Sequence, residues 1–232
     1  MQGTVIERYA ALVAQGEIER DPAQQALAEQ LSMLSVRLGQ HRLARKSSAL
    51  GWMFGRRQNR QDPIKGIYIH GQVGRGKTML LDLFFASSSV QRKRRAHFHE
   101  FMVDVHERVH AYRQKIKAGE ITNDDPIKLA AAAIAEESWL ICFDEFHVTD
   151  IADAMILGRL FTRLFEQGVV VVATSNVVPS DLYKDGLNRA LFVPFIELLS
   201  TRMDIVSLDA RTDYRLEKLS DVAMWYVPAD SK

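Results

Sequence analysis

Cysteine is almost missing from this sequence. Cys142 is the single one, so no disulfide can form within the chain, and the composition fits a reducing compartment. Cys142 lies in an apolar run and reads as a buried, inert thiol. Long apolar runs are also missing. The longest candidate, Val169 to Ala173, has the length of a strand and falls far short of the roughly 20 residues that span a bilayer. The first residues include Gln2, Glu7, Arg8, Glu17 and Glu19, with no apolar stretch followed by a small-residue cleavage site. That pattern argues against a secretory signal, and the acids against a mitochondrial transit peptide. An excess of either charge is lacking too: 30 bases against 29 acids leave a net charge of +1, so the molecule as a whole is no polycation for nucleic acid or anionic lipid. A soluble, cytoplasmic protein is expected.

With 232 residues, 47% of them hydrophobic, the chain can bury a real core as one large domain or a domain and a half. Residues 1 to about 45 read as helix. Tyr9, Leu12, Val13 and Gly16 form a short stripe, and Asp21-Pro22 opens a second helix carrying Leu27, Leu31, Leu34 and Leu38. Between Arg37 and Lys65 the bases Arg37, Arg42, Arg45, Lys46, Arg56, Arg57, Arg60 and Lys65 face one acid, Asp62, and enclose Trp52, Met53 and Phe54. This stretch reads as a solvated linker with an aromatic plug; the alternative is a recognition surface. Residues 1–62 are therefore expected to form an N-terminal helical and basic segment, and 63–232 the core domain.

From Asp62-Pro63 onward, strands alternate with helices. Strands are expected at Gly66 to His70, Ala96 to His99, Trp139 to Phe143, Val169 to Ala173 and Ile205 to Leu208. Helices are expected from about Lys77 to Phe85, Glu100 to Lys117, Pro126 to Glu136, Ile151 to Glu166 and Leu191 to Ser200. Nearly continuous apolar strands between helices predict an α/β fold with a parallel sheet covered on both faces. Gln91 to Arg95, with four bases in five residues, reads as a solvated loop.

Gly71, Gln72, Val73, Gly74, Arg75, Gly76, Lys77 and Thr78 satisfy the full spacing of a phosphate-binding loop, with a strand before and a helix after. Glycines let consecutive N–H groups curl inward onto phosphate, and the helix start adds its own unpaired donors and dipole. Together with Met79 in the first helical turn, these residues are the candidate nucleotide contacts. Lys77 is placed to bridge the β- and γ-phosphates, and Thr78 to ligate Mg²⁺. The glycine spacing does not fit dinucleotide binding. A second apolar strand delivers Asp144 and Glu145, the first as a candidate Mg²⁺ carboxylate and the second as general base for an attacking water. A third strand ends in Thr174-Ser175-Asn176, where Asn176 is the first candidate to sense the γ-phosphate. Arg189 and Arg202 are both candidates to act on a neighbour's γ-phosphate, and either could equally be a surface ion-pair partner. His97 and His99 on one strand face, with His106 and His110 a helical turn apart, have metal-like spacing. No cysteine accompanies them, so packed or hydrogen-bonded histidines are the expected reading.

These residues resemble the ZapE-type cell-division ATPases and their mitochondrial relatives, within the AAA+ class. The similarity runs from about Tyr9 to the end. It is strongest at Gly71 to Phe85, Ala96 to His110, Cys142 to Arg163, Val169 to Asn176 and Gly186 to Leu199. The resemblance implies a P-loop NTPase of AAA+ type with a five-stranded sheet, and ATP as nucleotide. By it, Gly71 to Thr78 is the Walker A loop, Asp144 and Glu145 the Walker B pair and Asn176 sensor 1. Arg202 falls where an arginine finger is often placed, with Arg189 the other option. It further implies a nucleotide-dependent homo-oligomer that acts on a protein partner such as FtsZ, in the cytoplasm at the division site and near the membrane. A helicase-loader-like protein that associates with nucleic acid is the alternative, motivated by the basic stretch. Relatives continue past the Asp213-Tyr214-Arg215 region into a helical lid; this chain ends at Lys232, so a fragment or a member without the lid is expected. His147 stands where relatives often have glutamine.

Overall fold

The computed structural model describes residues 3–51, 63–122 and 124–208, without the side chains of 42–51. Among them the helices are α1 (Val5–Ala14), α2 (Pro22–Gly51), α3 (Lys77–Ser87), α4 (Phe98–Lys117), α5 (Pro126–Glu137), α6 (Ile151–Glu166) and α7 (Val193–Arg202). The strands are β1 (Gly66–His70), β2 (Lys93–His97), β3 (Leu140–Asp144), β4 (Val170–Ser175) and β5 (Met203–Ser207). Side chains cap the starts of several helices. Asp21 accepts from the N–H groups of Ala23 and Gln24, Asp125 from Ile127 and Asp150 from Ala152. Thr4 and Glu7 form a reciprocal capping box that opens α1.

All five strands pair in parallel in the order β2-β3-β4-β1-β5. Successive strand side chains point to opposite faces, and the core divides along that alternation. Ile67, Ile69, Leu140, Cys142, Val170 and Val172 meet Val5, Tyr9, Leu27, Leu31, Leu34 and Leu38 of α1 and α2 and Leu80, Leu81 and Phe84 of α3. Tyr68, Ile141, Phe143, Val171 and Ala173 face the other way, onto α4, α5, α6 and α7. The N-terminal helices thus form a layer of the same core as the sheet. Cys142 is fully buried, and burial pushes its thiol well above its ordinary range. Close packing also explains Gly66: a Cβ there would stand 1.8 Å from the carbonyl oxygen of Val171 on β4.

Three sequence expectations need correction. The second strand covers Lys93–His97 and α4 starts at Phe98, so His97 and His99 do not share a strand face. The run expected as a solvated loop supplies this edge strand, and its charges alternate between partners. Lys93 donates to the carbonyls of Phe85 and Ser88, Arg95 pairs with acids on α3 and β3, and Arg94 turns to Asp104 and the Phe101 ring of α4. In α1 the inner positions are Val5 and Tyr9, while Gly16 lies beyond the helix and is exposed. Most of the basic stretch lies outside the described residues or side chains; Arg37 is exposed on α2, and Lys65 stands 4.0 Å from Asp204. The C-terminal region discussed for the lid also lies outside the described residues. No helix among those described is long and apolar enough to cross a membrane.

Candidate nucleotide-binding site

In a parallel sheet every strand ends on the same edge, and ligands bind beyond the carboxyl ends where strand order reverses. Here that edge carries the loop after β1, the acids ending β3 and the polar residues ending β4. The loop reaches α3 through Gly76, which takes φ 82° as N-cap and supplies no side-chain cap. A helix start of this kind leaves its first-turn N–H groups to an external acceptor, and its dipole favours an anion. The left-handed backbone at Gly76 suits glycine, and a Cβ there would lie 2.8 Å from Nε2 of Gln24. Lys77 is 8% exposed, and its ammonium donates to the carbonyls of Gly71 at 2.6 Å and Gln72 at 2.8 Å. Val73, at the loop tip, and Thr78, in the first helical turn, are exposed; Met79 is half-buried.

The loop is fastened from behind. Arg75 pairs with Asp21 at 3.1 Å and donates to the carbonyl of Leu208 at 3.0 Å, and Gln24 donates to the carbonyl of Arg75 at 3.0 Å. The Tyr9 hydroxyl in turn bonds both backbone groups of Asp21. The first turn of α2 is therefore part of the loop's support, which motif spacing does not reveal.

Asp144 and Glu145 differ sharply in environment. Asp144 is buried, and the Arg95 guanidinium grips both of its oxygens, Nε to Oδ2 at 2.7 Å and Nη2 to Oδ1 at 3.3 Å. The bond to Asp144, above all, raises the Arg95 guanidinium above its ordinary pKa. Glu145 is exposed with φ 54°, a left-handed turn that sends the next residue, Phe146, back into the core. Thr174 and Ser175, the weaker candidates for sensing phosphate, are buried and hold this turn: Thr174 Oγ1 accepts from Glu145 N–H, and Ser175 Oγ donates to the carbonyl of Phe146. Asn176 is exposed beyond them and lines, with Glu145, a cleft of about 890 Å³ bordered by His99, His106 and His147.

His106 bonds Asp153 at 2.7 Å and His110 lies 3.5 Å from Gln114, so both are engaged as the hydrogen-bonded reading expects. Arg189 lies on the connection between β4 and α7 and donates to the carbonyl of Ser180. Arg202 ends α7, immediately before Met203, which pairs with Gly66 at the start of β1. The five residues of β5, at about 3.3 Å each, put Arg202 roughly 17 Å from the edge that bears the loop. The structure brings Lys77, Thr78, Asp144, Glu145 and Asn176 to one edge and leaves Arg202 at the other.

The loop between β1 and α3, the acids supplied from β3 and the placement of β1 between β4 and β5 are those of a P-loop ATPase of the AAA+ type. Within that class the chain belongs to the AFG1-like ATPase family, whose sequence model matches residues 3–232. It is 53% identical over 167 residues to Lactation elevated protein 1 homolog B of Danio rerio, covering 71% of this chain and 33% of that protein. It is 36% identical over 231 residues to Cell division protein ZapE of Escherichia coli (strain K12), covering 97% of this chain and 60% of that protein. The chain thus spans between 33% and 60% of the length of these two relatives. Both agree with the resemblance read from the sequence. Among solved structures, AMPPCP-bound DnaA from Aquifex aeolicus matches with a TM-score of 0.48 at 15% identity, over 88% of this chain and 54% of that one.

Proposed function

We propose that this chain binds ATP with Mg²⁺ and hydrolyses it. The observation that carries the reading is the uncapped start of α3 at Gly76, with the Lys77 ammonium held inside the loop on the same sheet edge as Asp144 and Glu145. The first-turn N–H groups of Lys77, Thr78 and Met79 and the backbone from Gly71 to Gly76 bind the phosphates, and Lys77 spans the β- and γ-oxygens. Thr78 and Asp144 are the residues that would hold Mg²⁺, which when bound neutralises charge on those oxygens. Glu145 orients the attacking water and accepts its proton, and Asn176 reports on the γ-phosphate. Arg202 serves a neighbouring copy, with Arg189 as the other candidate. In this reading residues 63–232 are the ATPase core, and 1–62 an N-terminal segment whose helices support the loop.

Glu145→Gln tests the hydrolytic assignment. Nucleotide affinity should stay unchanged while turnover falls about 10²- to 10⁴-fold. Undiminished turnover would reject Glu145 as the base and leave a nucleotide-gated scaffold as the reading.

Similarity to a cell division protein supports a cytoplasmic ATPase that assembles with its own kind and remodels a protein partner, the FtsZ ring being the first to try. Sedimentation of FtsZ polymer with this protein, with and without ATP, should show a nucleotide-dependent change in polymer. No change, with salt-sensitive binding to DNA instead, would favour the nucleic-acid alternative.

A further inference from the structure

Arg95 is the residue of this site that motif reading misses. It sits on β2 opposite Cys142, two residues short of the level of Asp144, and its guanidinium reaches forward to both Asp144 oxygens. Its remaining arm bonds Asp82 on α3. Asp82 follows Thr78 by one helical turn and shares its face. A single cation therefore ties the helix leaving the phosphate loop to the carboxylate that ends β3.

The two anchors differ. The Asp144 side chain is 8% exposed and the Asp82 side chain 54%. A carboxylate as buried as Asp144 requires a counter-charge, and among the described residues Arg95 supplies its only ion pair. A fork across both oxygens also takes up the positions that a cation, or water bound to one, would use. Arginine cannot yield them by losing its proton, so it must move. Asp82 offers a half-solvated place to move to.

We propose that Arg95 is an exchangeable counter-ion, which neutralises Asp144 while Mg²⁺ is away and swings onto Asp82 when Mg²⁺ arrives with the nucleotide. The inference rests on Asp144 being the Mg²⁺ carboxylate. It makes metal arrival and the link between β2 and α3 a single event, so that the edge strand reports whether the site is loaded. Two cations on one carboxylate repel, which gives the exchange its direction.

The test is Mg²⁺ dependence of binding, measured with a fluorescent ATP analogue on the full chain, alongside thermal melting in EDTA. Arg95→Met should lower the Mg²⁺ concentration for half-maximal binding about 5- to 150-fold, the usual range for coupled sites. Without metal the same variant should melt at a lower temperature, because Asp144 is left unpaired. Asp82→Asn, a half-exposed change that spares the core, should act in reverse and raise the Mg²⁺ requirement several-fold, since Arg95 then keeps only Asp144. An unchanged or higher Mg²⁺ requirement in Arg95→Met, or an unchanged one in Asp82→Asn, would make Arg95 a fixed strut and overturn the exchange. Asp144→Asn separates the two levels of the argument. If it leaves the Mg²⁺ requirement as in the wild type, the metal assignment of Asp144 itself is wrong.

Discussion

Glu145 adopts a left-handed backbone that costs a non-glycine residue about 1–2 kcal/mol, and the neighbouring residues hold it there. Thr174 accepts the Glu145 N–H through its hydroxyl and the Phe146 N–H, at 2.7 Å, through its carbonyl. Phe146 then enters a ring cluster with Phe98, Phe143, Phe161 and Phe195. The reversal leaves an exposed carboxylate on a buried anchor, as the base role proposed for Glu145 would require. Thr174→Val keeps the shape but removes the hydroxyl. Stability should fall by about 1 kcal/mol, and turnover should drop while nucleotide affinity holds. Melting curves, turnover and nucleotide titration on one preparation would check it. Gly66→Ala is a sharper case, since the added methyl meets the backbone of β4 rather than a side chain that can move. Destabilisation of about 1–3 kcal/mol or more is expected, read as a lower melting temperature or as insoluble protein.

At the scale of elements, two contacts tie the layers to the site. In the first, Asp21 caps α2 with one oxygen and pairs with Arg75 of the phosphate loop with the other. Asp21→Asn retains the cap but loses the ion pair. The partners are about a quarter exposed, so the pair contributes about 0.2–1 kcal/mol, and nucleotide affinity should weaken by no more than several-fold. In the second, Asp104 of α4 binds Arg94 of β2 and Arg108. Burial acts to raise its pKa, but hydrogen bonds from Arg108 and Arg94 outweigh it and hold the carboxyl below its ordinary value of 3.8. A folded pKa below the unfolded one gives stability that is present above about pH 4 and lost as pH falls through the lower value. Asp104→Asn should flatten that acid limb of the stability-against-pH curve. Element positions were largely legible, because caps and the 3.6-residue period are local. The charged half of β2, Lys93 to Arg95, was not, since an edge strand needs no apolar alternation when each of its bases finds a partner on α3, α4 or β3.

For the whole molecule, the order β2-β3-β4-β1-β5 decides which residues share an edge. Arg202 lies at the other edge, so it can serve a γ-phosphate only in a neighbouring copy. Lys77→Ala and Arg202→Ala should each lack turnover when alone, and mixing them should restore part of it, because each supplies what the other has lost. No recovery on mixing, at concentrations where the chain assembles, would remove Arg202 from the reaction and leave Arg189 to be tested. The loop at Gly71 to Thr78, the acids ending β3 and the alternation of strand and helix were present in the sequence itself. Each depends on residues within a few positions of one another, where spacing alone sets geometry. The grip of Arg95 on Asp144, the clamp of α2 on Arg75 and the inward turn of Thr174 join residues 29 to 54 positions apart. Only closure of the sheet brings such pairs together, so only the tertiary structure could decide them.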